Sequence, residues 1–235
     1  MEIKTDEVKK FYEEVESVWP EDDKWHQYSR SQILQYISRM DYKKTGYLLN
    51  AGSGGSDYGL PHKMMHVDIA ENKIKHFPEY IVSSVESMPF EENTFTDAIC
   101  VGSVINYCDA SATIHELSRV LKSGGSLILE FESSWGYEHR NSHAFKRDAD
   151  IVQLPYFGAL HSQWIYSPKY ISNILAVEGL RISDEYRFHY LSGISFSKYQ
   201  NENRAVQYVK FDWLCRKIPI IKQYSNNVIL RCIKL

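Results

Sequence analysis

Two glycines one residue apart follow an apolar run in Tyr47-Leu48-Leu49-Asn50-Ala51-Gly52-Ser53-Gly54-Gly55. Glycine lets backbone N–H groups come close to a ligand, and the crevice beyond the strand ends is where α/β sheets bind. A phosphate-cradling P-loop needs Gly-Lys-Ser/Thr, and Gly55-Ser56-Asp57 has no lysine. A dinucleotide loop of the G-x-G-x-x-G type would place its third glycine where Asp57 stands, and that carboxylate repels a pyrophosphate. A nucleoside ligand without a pyrophosphate is the remaining reading. Asp68, at the end of the next apolar run, suits it, because one carboxylate can accept from both ribose hydroxyls. The same residue can cap Ala70-Glu71-Asn72, and the two roles are compatible.

Other reactive residues point less far. His62 and His66 have metal-like spacing, but Lys63 replaces the Glu of H-E-x-x-H and His66 sits in a strand run, so no metal is expected. The cysteines Cys100, Cys108, Cys215 and Cys232 form no C-x-x-C pair, which removes a zinc or redox site and fits a reducing cytoplasm. Cys108 reads as structural.

These residues need elements to position them. Val8, Phe11, Tyr12, Val15 and Val18 recur at helical spacing, and Pro20 stops that helix. A second helix starts near Asp22 or Asp23, so residues 6 to 40 read as helical. Strands then alternate with helices: runs at 47–51, 64–69, 80–82, 96–101 and 126–131, and a helix from Ala112 to Leu121 ended by Gly124-Gly125. Residues 133 to 166 read as irregular. Ser167-Pro168 opens a helix, 181–190 is a sixth strand, a helix lies around 204–214, and 227–233 is a seventh strand. The stretch between Ser56 and Lys63, with Gly59 and Pro61, leaves room only for a stunted first crossover helix. Continuous apolar strands between helices predict an α/β, Rossmann-like, seven-stranded, mostly parallel sheet with helices on both faces and an N-terminal helical cap. The chain reads as a single domain over 1–235, with the cap at 1–45, the core at 46–190, and an excursion and final strand at 191–235.

Residues 47 to 131 resemble the class I S-adenosylmethionine-dependent methyltransferases, in particular the small-molecule, quinone-biosynthesis type. The family's D-x-G-x-G-x-G appears as Asn50-Ala51-Gly52-Ser53-Gly54-Gly55-Ser56, with Asn50 in place of the acid and Ser56 in place of the third glycine. Asp68 in Val67-Asp68-Ile69 matches the ribose acid. Ser84 to Phe95 is similar to the adenine-side loop, and His115 to Gly125 to the E-x-x-R-V-L-K-P-G-G segment. The resemblance implies S-adenosylmethionine as cofactor. It implies that Asn50, Ala51, Gly52, Ser53 and Gly54 serve the methionine end and Asp68 the ribose. Ile69, Val85 and Glu86 then flank the adenine, with surface charge as the other reading of Glu86. Gly102 and Ser103 face the sulfonium. Tyr28 either closes over the cofactor or is a plain core tyrosine.

The acceptor is read by elimination. The segment after the fourth strand, Val101-Gly102-Ser103-Val104-Ile105-Asn106-Tyr107, lacks the N/D-P-P-Y/F of base-amino methylation, and Cys108 lacks the preceding proline of cytosine C5 methylation. A small-molecule substrate is therefore expected, with Tyr107, His139 and His143 as candidate bases. Carbon methylation needs no strong base. Nucleic acid is disfavoured by 27 Lys and Arg against 30 Asp and Glu, although Lys198, Arg204, Lys210, Arg216, Lys217 and Lys222 could form a local basic face. No apolar run approaches the ~20 residues of a membrane span, and the charged Met1 to Glu7 is not a secretory leader. The rival readings are a non-catalytic S-adenosylmethionine-binding regulatory protein and an RNA or protein methyltransferase.

Overall fold

A computed structural model describes residues 3–39, 46–156 and 159–235. The expected cap boundary at residue 45 falls outside them. The elements in chain order are α1 (Thr5–Glu14), α2 (Lys24–Ile37), β1 (Tyr47–Ala51), β2 (Lys63–Asp68), α3 (Glu71–Ile74), β3 (Tyr80–Val82), β4 (Phe95–Cys100), α4 (Ala110–Val120), β5 (Leu121–Glu132), β6 (Ala149–Tyr156), β7 (Ala159–Tyr166), α5 (Pro168–Val177), β8 (Leu180–Phe188), α6 (Leu191–Tyr199), α7 (Glu202–Ala205), α8 (Asp212–Cys215), α9 (Pro219–Lys222) and β9 (Asn227–Lys234).

Seven strands form one sheet in the order β3-β2-β1-β4-β5-β9-β8. Only β9 runs against its neighbours β5 and β8. Strand residues alternate between faces, so each strand feeds two cores. Leu49, Val67, Ala98 and Leu127 pack with α4 and α5 on one side. Leu48, Met64, Ile99 and Ile128 pack with Ile33, Tyr36 and Ile37 of α2 on the other. Burying Ile33 and Ile37 contributes about 1.5–3 kcal/mol each. The expected sheet and the helices on both faces are present.

Four segments differ from the sequence expectation. Helix α1 stops at Glu14 rather than reaching Pro20. Lys73 Nζ donates to the Val15 and Glu16 carbonyls, and Val18 and Trp19 turn inward over the sheet's binding edge. Between β1 and β2 there is no helix, only turns. Helix α2, with Tyr58 and Leu60, covers the face that a crossover helix would occupy. Within 133–166, β6 and β7 pair as an antiparallel hairpin from Ala149↔Tyr166 onward. Polar Gln153, His161 and Gln163 alternate with apolar residues there, so no continuous apolar run signals the strands. The expected helix at 204–214 is broken into α7, a 3-10 stretch over Val206–Phe211, and α8. The break brings Asp212 inward, where its carboxylate accepts from Tyr28 Oη and from the His189 and Tyr190 N–H groups.

Candidate active site

The site starts where β1 ends. Gly52 has φ +72°, and a Cβ there would come within 2.4 Å of the Val104 methyls, so the position takes glycine alone. Gly54 follows with φ +55°. Two side chains hold this loop from beneath. Asn50 Nδ2 donates to the Ser56 carbonyl at 2.7 Å. A carboxylate cannot make that bond, which gives Asn50 a role that the family's acid does not fill. His66 Nδ1 and Ser53 Oγ are bonded at 2.8 Å, and the imidazole stacks on Phe77 at 3.5 Å. Burial pushes the His66 pKa down to about 4. His66 thus serves the loop as a neutral ring.

Asp68 ends β2 facing the same cavity. Gly54 N–H donates to its Oδ2 at 2.8 Å and Ala70 N–H to its Oδ1 at 2.9 Å. Burial raises its pKa, and those N–H groups oppose the rise. Each oxygen keeps a lone pair for a further donor. Ile69 and Val85 supply apolar walls nearby. Glu86 is not a stray surface charge: its Oε1 accepts from Asp109 N–H at 2.7 Å and its Oε2 from Ser84 Oγ at 3.2 Å, tying this wall to the start of α4.

Beyond β4, Gly102 and Ser103 both adopt positive φ, +83° and +58°. Their N–H groups donate to Glu130 Oε2 at 2.9 and 2.6 Å, and Asn227 Nδ2 donates to Glu130 Oε1 at 2.8 Å. Glu130 is fully buried. Burial raises its pKa, and the three donors oppose that rise. Sequence reasoning missed Glu130. Its signal was an acid inside the apolar strand Leu127-Ile128-Leu129-Glu130-Phe131. Asn106 was missed as well: it accepts from Glu132 N–H at 2.9 Å and donates to the Trp164 carbonyl at 2.7 Å, clasping β5 to the hairpin. Val18 and Trp19 lie against Gly54 and Gly102 and roof this part of the cleft.

The cavity continues to a second end built by β5, the hairpin and α7. Ser103 Oγ donates to Glu132 Oε1 at 3.0 Å. Glu138 accepts from Asn226 Nδ2 at 2.5 Å and stands 3.1 Å from His139 Nε2. Ligand atoms of Glu132, Glu138 and His139 lie within 4.8 Å of one another, a grouping that spacing in the sequence did not reveal. Burial, with Glu138 adding to it and His139 opposing, pushes Glu132 up to about 7.

The three candidate bases separate in space. Tyr107 lines the cavity and accepts from Gln163 Nε2 at 2.6 Å, but burial pushes its pKa up to about 12. His139 is buried beside Glu138. The His143 side chain is 63% exposed and faces Asp150 at 3.5 Å, away from the cavity. Tyr28 does not line the cavity: it bonds Asp212 and packs edge-on against Phe188, the core alternative. Cys108 lines the cavity with its thiol pushed up to about 12 by burial, so it is no nucleophile at neutral pH.

The donor set fits S-adenosylmethionine. Asp68 offers acceptor positions for a ribose, Ile69 and Val85 offer apolar walls for an adenine, and the glycine loop lets the backbone approach.

Comparison with known proteins narrows the class. Residues 49–129 match the family model described as "Methyltransferase domain". An uncharacterised protein of Methanocaldococcus jannaschii, MJ1252, is 25% identical over 131 residues. That stretch is 52% of this chain and 50% of MJ1252, so the chain matches about half of that relative's length. The geranyl diphosphate C-methyltransferase of Streptomyces coelicolor A3(2), solved with Mg2+, geranyl diphosphate and S-adenosyl-L-homocysteine, superposes with a TM-score of 0.62 at 11% identity. The match covers 98% of this chain and 97% of that one. The [4+2]-cyclase SpnF superposes at 0.59 with 16% identity over 97% and 94% of the two chains. A shared fold therefore does not fix the reaction. The fold is the one shared by these superposed proteins, and the loop chemistry agrees with the matched domain. The part of the chain that is similar to a methyltransferase domain, residues 49–129, runs from β1 into β5 and includes the glycine loop and Asp68.

Proposed function

We propose that this protein transfers a methyl group from S-adenosylmethionine to a small-molecule acceptor, and that residues 1–235 act as one domain. The observation that carries the reading is one cavity with two chemically distinct ends. One has the glycine loop, Asp68 and apolar walls, the other has Glu132, Tyr107 and Gln163, and Ser103 stands between them. The bound cofactor supplies a methyl already activated on a sulfonium, so the protein's task is alignment rather than strong base chemistry. Asp68 orients the ribose. The Gly102–Ser103 turn, fixed by Glu130, sets the point of transfer. Val18 and Trp19 close the cleft and exclude water there.

A partly open cavity roofed on one side by the chain's own N-terminal segment suits a small acceptor better than a polymer. None of the described helices is long and apolar enough to cross a membrane. All four cysteines are free, which agrees with a reducing compartment such as the cytoplasm. The quinone-biosynthesis resemblance rests on the sequence motifs alone.

Calorimetry of the full chain with S-adenosylmethionine and S-adenosylhomocysteine, with NAD as control, tests the reading. Micromolar binding of the first two and none of NAD is expected. Absence of both sulfur ligands from a folded chain overturns it.

A further inference from the structure

We propose that the acceptor is a primary or secondary amine, bound as its ammonium ion at the Glu132 end of the cavity; this rests on the methyl-transfer reading above. Glu132 at the end of β5, Glu138 in the turn Tyr137–His139 and Glu202 in α7 come from three separate elements and line the same cavity. No described arginine lines the cavity, and its lysine, Lys73, is bonded to the Val15 and Glu16 carbonyls at the cofactor side. The two imidazoles near this end each face an acid of their own, His26 with Asp23 at 2.5 Å and His139 with Glu138 at 3.1 Å. Acids thus outnumber cations here. An anionic acceptor is repelled and a cation attracted at this end.

Two further observations agree. Tyr12, Trp25 and Phe196 line the cavity, and aromatic faces attract ammonium groups. Gln163 lines the cavity at 7% exposure, and its Oε1 accepts no hydrogen bond while its Nε2 donates to Tyr107. A buried acceptor left in that state suits an N–H donor on the ligand.

Glu132 accepts from Ser103, so its carboxylate lies beside the turn that sets the point of transfer. The ammonium gives one proton to the Glu132 carboxylate, which passes it to solvent, and the freed lone pair attacks the methyl carbon. The N–C bond forms as the methyl carbon's bond to sulfur breaks. That bond's electron pair stays on sulfur and cancels the sulfonium charge. The product leaves as the methylated ammonium.

The test uses the full chain loaded with S-adenosylhomocysteine. Matched sets are titrated by calorimetry: phenethylamine, 2-phenylethanol and phenylacetate, then butylamine, butanol and butyrate. An amine of at least one set is expected to bind at least tenfold more tightly than its neutral and anionic counterparts. Glu132→Gln and Glu202→Gln should each weaken that amine at least tenfold while S-adenosylhomocysteine affinity stays within twofold. In turnover, Glu132→Gln should act mainly on kcat and Glu202→Gln mainly on KM. Alcohols or carboxylates that bind as well as the amines overturn the proposal, and so do amines that fail to bind the loaded protein or bind both variants unchanged. Mn2+ binding that is lost in Glu132→Gln and His139→Ala, without competition from amines, also overturns it and makes the trio a metal site. Failure of S-adenosylhomocysteine itself to bind overturns the methyl-transfer reading instead.

Discussion

Asp68 uses both carboxylate oxygens on the backbone before any ligand arrives, which makes it a brace for the glycine loop in addition to its proposed role as ribose acceptor. Replacing Asp68 with Ala removes charge-assisted bonds worth about 1.5–3 kcal/mol, so S-adenosylhomocysteine affinity should fall roughly ten- to 150-fold in calorimetry. Glu132 sets a pH requirement. Burial, with Glu138 and Glu130 adding to it and His139 opposing, pushes its carboxyl up to about 7. Tyr107 and His26 also feel its charge. A base must be ionised, so kcat/KM should climb as pH rises through about 7, and Glu132→Gln should flatten that limb. His66 gives the opposite kind of pH signature, in stability. Its folded pKa is about 4 against an ordinary 6.5, so the folded state favours the neutral ring. The stabilisation from this site is complete above 6.5 and is lost as pH falls toward 4. Urea midpoints of the native chain minus those of His66→Gln, taken from pH ~7 to ~4.5, should shrink steadily with acid.

Two turns each press on one neighbouring residue. The β1 turn passes Val104 at Gly52 with no space for a methyl. Gly52→Ala meets that clash and a left-handed φ that costs roughly 1–2 kcal/mol for a residue with a Cβ. Adding Val104→Ala removes the two methyls but leaves its Cβ at 2.9 Å, so it should recover only part of the steric loss of stability and cofactor affinity and none of the backbone part, as a double-mutant cycle would show. The β4 turn depends on Glu130. Glu130→Ala leaves the Gly102 and Ser103 N–H groups and the Asn227 amide without their buried acceptor. About 2–4 kcal/mol of stability should go, read from denaturant unfolding, with loss of turnover. The positive φ of Ser103 belongs to the same turn: a side chain held in a sparsely populated backbone state persists only where surrounding bonds over-determine it.

At the scale of the molecule, the N-terminal segment is both wall and roof. Helix α1 has no buried residue, whereas α2 fills the sheet face left open by the absent crossover helix. Deleting residues 1–14 should therefore leave far-UV circular dichroism and the thermal midpoint of the core nearly unchanged. It should speed ligand dissociation, which stopped-flow displacement of S-adenosylhomocysteine would measure. Deleting α2 should unfold the chain instead. Local pattern alone determined much of this architecture. Apolar runs such as Leu48-Leu49 and Ile128-Leu129 are buried on both faces because they lie in a parallel sheet, and that burial is what makes such strands legible. The glycine loop and Asp68 were legible for a related reason, since close backbone approach and a strand-end acid leave fixed residue types at fixed spacing. Tertiary structure alone decided the second end of the cavity. Glu202 lies far along the chain from Glu132 and Glu138, those two have no metal-like or catalytic spacing, and the hairpin beside them carries polar residues that hide its period. Their meeting depends on the register of β5 with β9 and on the seating of α7, which are long-range packing outcomes that no local spacing encodes. Glu130 shows the same limit from the other side: its burial could be read from the strand, but its task of holding two N–H groups beyond β4 came only from the neighbour that folding placed there.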